Sequence, residues 1–360
     1  MFITAIENFV LFSTLLALGG FVTACMARRA TLSGWWSPHP FTLARIYAAS
    51  LIAPPVAAAW LVIAAFLPEW WMGMAAFNVE HPAPMHQLHL LSDLTATLEP
   101  KLAYATILFA ATAALFAAWS SVRSFIRIGR LVERLEMNAA PPPAEQVLLV
   151  ERAGARHGLD VGLVMSDYPL SFVWGYRRSK LVLSSGLLRT LTAEELAGVL
   201  EHEAAHHKRL DNLVKLFLTV CSYTSMAFPL SRFVLRWRAE QVEMVCDEVA
   251  AARTSAPLEI ADALVKVRRQ TLIPSGYMSR VAAASGFVPD DLPSFQRRVR
   301  RLIAFSDAPP APSRAAALSK RPEGTVLLFS ALFAATLVIA TTLAPLAVHR
   351  VAESLIKIIG

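Results

Sequence analysis

The sequence has few cysteines and few charged residues for its length. Cys25, Cys221 and Cys246 are scattered along 360 residues, and an odd, dispersed set argues against a disulfide framework. A reducing compartment for the soluble part of the chain fits this usage. Charged residues make up 17% of the chain and hydrophobic residues 55%, with a mean hydropathy of +0.48. This composition excludes an ordinary soluble enzyme and favours a membrane protein.

The first apolar run has no basic residue before it, so it lacks the basic n-region of a cleaved signal peptide. Arg28 and Arg29 follow that run, which predicts a first span ending in the cytoplasm. Four apolar runs predict spans, at residues 9–26, 46–67, 102–119 and 326–348. The net charge of +7 is attributed to cytoplasmic flanks, and direct nucleic-acid binding is not expected.

Basic flanks also set the expected topology. Arginines from Arg123 onwards follow the third run, and basic residues up to Arg321 precede the fourth. The segment between them is therefore predicted to be cytosolic. The predicted organisation is a membrane part at 1–122, a cytosolic segment at 123–321, and a last span with a short tail at 322–360.

The loop at 72–101 has one lysine or arginine, Lys101, and is predicted to lie outside. It holds His81, His86 and His89. Imidazole suits copper and zinc, so the loop either binds such a metal or is a solvated loop with incidental histidines.

The centre of the chain carries a metal-binding pattern. Residues 202–206 read HEAAH, so His202 and His206 lie about one helical turn apart and can hold one metal ion together. Glu203 is adjacent and can reach a water bound to that metal. A buried structural histidine pair is the alternative.

A helix is predicted around this pattern. Thr192 and Glu195 form a T-x-x-E capping box, which marks a helix start, and apolar residues follow at helical spacing. No glycine or proline lies between Gly198 and Asp211 to break the helix. This context favours a catalytic metal site over a structural histidine pair.

Two histidines leave a catalytic zinc one protein ligand short, and a carboxylate commonly completes the set. Four acidic residues of the segment 238–253 are candidates: Glu240, Glu243, Asp247 and Glu248. Glu243 and Asp247 share one helical face, so one can bind the metal while the other orients a ligating histidine. Cys246 beside them is predicted to be a small packing residue, with a redox sensor or ligand as the alternative.

The segments around the site have predictable structure. Strands at 161–165, 172–176 and 180–184 predict a small sheet, whose edge could hold an extended substrate peptide. The apolar segment 214–237 is predicted to be a membrane-embedded or surface-lying helical hairpin bent near Pro229. A single crossing there would move the third ligand across the membrane.

Helices are also predicted at 144–158, 260–270 and 295–305. The last of these carries a basic face, interpreted as lying against anionic lipid headgroups, with an acidic substrate as the alternative. Its members are Arg297, Arg298, Arg300 and Arg301.

Three stretches resemble the BlaR/MecR-type membrane metallopeptidases: SFVWGYRRSKLVLSSGLL, LTAEELAGVLEHEAAHHKRLDNL and EMVCDE. The motif H-E-x-x-H alone occurs in many zinc peptidases, but its combination with E-x-x-C-D and this order of spans is specific. The resemblance implies one zinc ion per chain, held by His202, His206 and Glu243. It implies Glu203 as general base, and Asp247 and Asp211 as residues that support the ligands.

The resemblance implies a multi-pass α-helical membrane protein with an inserted cytosolic α+β zincin-like (gluzincin) metallopeptidase domain, in the bacterial inner membrane. Expected partners are the lipid bilayer and a protein or peptide substrate, either a cytosolic repressor or the chain itself. No penicillin-binding domain and no S-x-x-K module is visible, so direct β-lactam sensing is not expected. The alternatives are an HtpX-like quality-control peptidase and a non-enzymatic membrane sensor with a relic site.

Overall fold

A computed structural model describes residues 2–71, 141–175, 179–271 and 292–307, together with seven separate positions between 108 and 126. The predicted fourth span and the loop at 72–101 with His81, His86 and His89 lie outside the described residues. The predicted third span is described only at those separate positions. There, Phe116 makes an edge-on ring contact with Tyr223, at a centroid distance of 6.4 Å.

The N-terminal part consists of two long helices, α1 (Phe2–Leu32) and α2 (Pro40–Trp71). Among the described residues, these two are long and apolar enough to cross a membrane, within Phe12–Leu32 and Pro40–Trp60. They coincide with the first two predicted spans. α2 is one continuous helix although it contains Pro54 and Pro55.

A small sheet follows the helix α3 (Ala144–His157). Gly158 ends α3 in the left-handed conformation, with φ 67° and ψ 36°, as glycine readily does at this position. The strands are β1 (Asp160–Val164), β2 (Ser171–Trp174) and β3 (Lys180–Ser184), in the order β1-β3-β2. β3 pairs parallel to β1 and antiparallel to β2, so β2 forms an edge of the described sheet.

The short helix α4 (Ser185–Thr190) leads into α5 (Ala193–Arg209), which carries the HEAAH pattern. The predicted capping box is present: the Thr192 hydroxyl accepts from Glu195 N, and the Glu195 carboxylate accepts from Thr192 N. The absence of glycine and proline suggested that this helix continues to Asp211, but it ends at Arg209. It ends because Leu210 adopts the left-handed conformation at φ 56°, which usually costs an L-residue about 1–2 kcal/mol.

The apolar segment 214–237 lies in two helices, α6 (Asp211–Tyr223) and α7 (Phe228–Thr254), joined by a turn just before Pro229. This agrees with the predicted bend. The turn contacts α1, since Ser13 Oγ lies 3.1 Å from Thr224 Oγ1 and Met226 N donates to Thr14 Oγ1 at 3.0 Å. The remaining helices are α8 (Pro257–Thr271) and α9 (Leu292–Asp307).

Two apolar cores position the site. One joins α3, the sheet, α4, α5 and α8, with Leu183, Leu188 and Leu196 fully buried at its centre. The other joins the apolar helices α1 and α2 to α6 and α7 through residues such as Tyr47 and Leu218. The helices that flank the site therefore pack directly on the helices predicted to span the membrane.

Candidate metal centre

The two histidines of the HEAAH pattern lie side by side on α5. His202 Nε2 and His206 Nε2 are 3.2 Å apart, and the two rings meet at an interplanar angle of 72°. The i, i+4 spacing places both side chains on one helical face, and each ring presents its Nε2 to the same point. This arrangement follows from the local sequence alone.

Glu243 reaches the same point from α7. Its Oε2 lies 3.4 Å from His202 Nε2, and its Oε1 lies 3.5 Å from His206 Nε2. Donors bound tetrahedrally to a zinc ion at about 2.0–2.1 Å stand about 3.3–3.4 Å from one another. The two Nε2 atoms, 3.2 Å apart, and the nearest Glu243 oxygen to each of them, at 3.4 and 3.5 Å, are close to this spacing. The three side chains can therefore hold a tetrahedral ion with one position left open. Of the four acidic candidates, Glu243 is the one brought to both histidines.

A carboxylate supports each histidine from behind. His202 Nδ1 lies 2.9 Å from Asp247 Oδ1, and His206 Nδ1 lies 2.9 Å from Asp211 Oδ2. Each ring can donate its Nδ1–H to that oxygen, which fixes the tautomer and leaves Nε2 as the metal donor. Asp211 reaches His206 because the left-handed Leu210 ends α5 and turns the chain back. The structure thus places Asp247 beside His202 and Asp211 beside His206.

The basic face of α9 was interpreted wrongly for three of its four arginines. Arg298 is buried and donates from Nε and Nη2 to the two oxygens of Asp247, at 2.7 and 2.9 Å. Arg297 pairs with Glu240 at 3.1 Å, and Arg301 pairs with Glu248. These side chains bind acidic residues of α7 rather than lipid headgroups, because α9 packs against α7.

Arg298 is a site residue that sequence reasoning missed. It lies 51 positions from Asp247, and the motif gives no signal for it. A run of arginines on one helical face is more often solvated, so only the packing of α9 shows which member is buried. Its Nη1 also lies 3.4 Å from Glu243 Oε2.

The charges around the histidines favour a cation. Burial lowers the pKa of His202, but its hydrogen bonds to Asp247 and Glu243 outweigh burial and raise that pKa to about 10. Burial raises the pKa of Glu243, yet the two histidines and Arg298 bring it down to about 2. The site therefore stabilises positive charge on the ring nitrogens. A divalent ion would replace those protons, since ligating imidazoles must be neutral.

Glu203 lines the same cavity as His202 and Glu243 and is 5% exposed. Its Oε1 accepts a hydrogen bond from the Ser171 hydroxyl on β2 at 2.7 Å. The short distance is typical of a hydroxyl bound to a carboxylate. Ser171 was not singled out in the sequence, where it is one of several serines around the sheet.

Cys246 is fully buried behind His206, with its Sγ 3.6 Å from His206 Nδ1 and 3.8 Å from Asp211 Oδ2. It packs in a cluster with Ala44 of α2 and Ala205 of α5. Its burial fits the predicted packing role, and its sulfur also lies close enough to His206 and Asp211 for the three to bind a metal ion, the ligand alternative.

A cavity of about 170 Å³ opens beside Glu203 and His202. Apolar side chains from the β1–β2 connection, α4, α5, α8 and α9 form most of its wall, among them Leu170, Leu187, Val199, Ile260, Val267 and Phe295. A cavity of roughly 150 Å³ accommodates a benzene molecule, so this one is large enough for one apolar side chain.

Comparison with known proteins shows where the chain belongs. The family model described as BlaR1 peptidase M56 matches residues 83–285, more than half of the chain. The chain belongs to the BlaR1 peptidase M56 family. The matched region contains the HEAAH pattern, Glu243 and Asp247, whereas Arg298 lies beyond its end. Together with the two apolar helices, membership identifies the chain as a membrane protein of a peptidase family.

A curated relative of this M56 chain is described as a protease HtpX homolog of Methanopyrus kandleri. It is 26% identical over 219 residues, which cover 52% of this chain and 64% of the relative. The alignment therefore spans less than two thirds of that protein. No solved structure matches the M56 chain.

Proposed function

We propose that this chain is a zinc-dependent endopeptidase of the bacterial inner membrane, with a zincin-like α+β site that cleaves peptide bonds on the cytosolic side. The observation that carries the proposal is the convergence of His202 Nε2, His206 Nε2 and Glu243 at 3.2–3.5 Å from one another, with Glu203 alongside. A relic site would not need this set intact.

The donor set suits zinc. Two imidazoles and one carboxylate, with a position left open, are a common ligand set of catalytic zinc. His202, His206 and Glu243 would hold the ion, and Asp247 and Asp211 would orient the two rings. A bound zinc ion supplies a Lewis acid and lowers the pKa of its water towards neutrality.

Glu203 would act as the general base. The Ser171 hydroxyl donates to its Oε1, so Oε2 would be the oxygen that takes part in the reaction. In the proposed mechanism Oε2 takes the proton of the attacking water and passes it to the nitrogen of the leaving amine.

The edge of β2 would bind the substrate backbone. Leu170 O accepts a hydrogen bond from Ser184 N. In this antiparallel pair the N–H and C=O groups of even-numbered residues of β2 therefore point to β3, and those of odd-numbered residues point to the open edge. Asn212 Nδ2 already donates to the carbonyls of Val173 and Gly175 at 2.9 and 3.2 Å. An added peptide strand would therefore pair at Ser171, next to the apolar cavity, which would take one apolar side chain.

Contacts with α1 and α2 support a cytosolic active site. Arg28, at the basic end of α1, pairs with Glu240 at 3.1 Å, one helical turn before Glu243. His39, just before α2, lies 2.8 Å from Glu248. The site thus lies at the end of α1 that carries Arg28 and Arg29, and basic ends of spans favour the cytoplasm.

The substrate class has two candidates. Family membership favours signalling, in which the protein cleaves a cytosolic repressor or itself after the membrane part receives a stimulus. The HtpX-type relative favours the second candidate, quality-control cleavage of membrane proteins. Trapping with an inactive variant followed by mass spectrometry distinguishes them, because the first predicts a soluble repressor or a self-derived fragment and the second predicts several membrane proteins.

The variant Glu203→Gln tests the activity. We expect it to keep one zinc ion per chain and to lose hydrolysis by roughly 10²–10⁴-fold, because an amide cannot accept the proton. Metal content and cleavage of a quenched fluorescent peptide are the measurements. Glu201→Gln is the matched control, since Glu201 lies on the same helix but pairs with His157 and Arg253. A Glu203→Gln protein that cleaves at the wild-type rate would refute the proposal.

A further inference from the structure

Ser171 is the first residue of β2, and its hydroxyl donates to Glu203 Oε1 at 2.7 Å. A glutamate has three rotatable side-chain bonds, so a helical glutamate beside a metal site can adopt several orientations. The bond from Ser171 selects one of them, because a hydroxyl bound to a carboxylate at this distance is a charge-assisted hydrogen bond.

The main chain next to Ser171 is itself held in place. Leu170 N donates to Ser184 Oγ at 2.9 Å, and Ser184 N donates to Leu170 O at 3.0 Å. Ser184 is fully buried and caps α4 by accepting from Leu187 N. The residue before Ser171 is therefore fixed by two bonds to a buried residue, and Ser171 pairs with Leu183 in the β2–β3 register.

The main chain of Ser171 faces the open edge, while its side chain faces Glu203. One residue thus meets both the expected substrate strand and the general base. Replacing the hydroxyl changes the second contact and leaves the first intact, since the substrate would bind through N–H and C=O groups.

We propose that Ser171 is a positioning residue for Glu203: it fixes Oε1 so that Oε2 points to the attacking water. The proposal rests on the proposed peptidase activity. It predicts a loss in kcat without a matching change in KM, because substrate binding does not use the hydroxyl. A purely structural role would instead alter thermal stability and metal content.

The test compares Ser171→Ala with Ser171→Thr in the full-length protein in detergent. We expect kcat for a quenched fluorescent peptide to fall roughly 10-fold in Ser171→Ala, less than on loss of the base itself, with KM within about twofold. Zinc stoichiometry should stay at that of the wild type. Ser171→Thr keeps a hydroxyl on a strand residue and should restore most of kcat.

Ser166→Ala is the matched control. Ser166 lies in the β1–β2 connection and is buried, and its Oγ accepts from Tyr168 N rather than contacting Glu203. It should change thermal stability at least as much as Ser171→Ala and leave kcat near the wild-type value. An unchanged kcat in Ser171→Ala, or a Ser171→Thr variant as slow as Ser171→Ala, would overturn the inference alone. A wild-type protein without peptidase activity would overturn the proposed function with it.

Discussion

Substitutions of Asp247 and Arg298 can separate the contribution of Asp247 to zinc affinity from its contribution to the stability of the fold. Asp247 is 2% exposed and Arg298 is 8% exposed, and two hydrogen bonds of 2.7 and 2.9 Å join them. Removing one member of such a buried pair leaves an uncompensated charge and typically costs about 3–5 kcal/mol. Removing both with apolar replacement is often close to neutral. Asp247 also holds His202, and loss of such support typically costs about 10–100-fold in metal affinity.

A double-mutant cycle uses these two magnitudes. Asp247→Ala should lower the unfolding free energy of the zinc-free protein by about 3–5 kcal/mol in the wild-type background, and by far less in the Arg298→Met background. Its effect on zinc affinity should be about 10–100-fold in both backgrounds, because His202 loses its partner in each. Comparison within each background is needed since Arg298 also lies 3.4 Å from Glu243.

Thermal midpoints in detergent report the stability of the zinc-free protein, and competition with a chromophoric chelator reports the zinc affinity. Arg297→Met is the control on the same helix: Arg297 is 32% exposed, and Glu240 keeps Arg28 as a partner, so a loss below about 1 kcal/mol is expected. Equal destabilisation by Asp247→Ala in both backgrounds would refute the buried-pair argument. An unchanged zinc affinity would refute the support of His202.

Further predictions concern the cavity, a close backbone contact and the metal. Val267→Phe should fill the cavity and lower kcat/KM by roughly tenfold or more for peptides with a large apolar residue beside the scissile bond, whereas Val265→Phe, at an exposed position of the same helix, should not. Gly186→Ala should lower the thermal midpoint, with a cost of about 1–3 kcal/mol, because a Cβ there would lie 2.2 Å from Asp167 O. Chelation should lower the thermal midpoint of the zinc-loaded wild type and leave the midpoint of His206→Ala unchanged. The stabilisation lost is up to about 4 kcal/mol when free zinc was present at a thousand times its Kd.

Much of the fold near the motif was predictable because its signals are local. The strand at 180–184 was predicted with the observed bounds, and the helix predicted at 144–158 is observed at Ala144–His157. The capping box at Thr192 also formed as expected. Such features depend on residues a few positions apart, so periodicity and capping chemistry are enough to find them.

The break at Leu210 was not predictable in the same way. A leucine in the left-handed conformation costs free energy, and no local rule favours it over a continuing helix. Here the strain occurs where α5 ends and Asp211 meets His206 and Arg209, which lie 2.9 and 3.2 Å from its Oδ2. These contacts cross the break at Leu210 and accompany the local cost of the left-handed conformation.

By itself, the sequence determined the pair of candidate ligands on α5, because side chains four positions apart in an α-helix lie on the same face. It also determined the apolar character of α1 and α2. Only the tertiary structure decided which carboxylate approaches the histidines, which arginine is buried against Asp247, and which serine reaches Glu203. Those choices depend on how α7, α9 and β2 pack against α5, and packing between distant segments leaves no periodic signal in the chain.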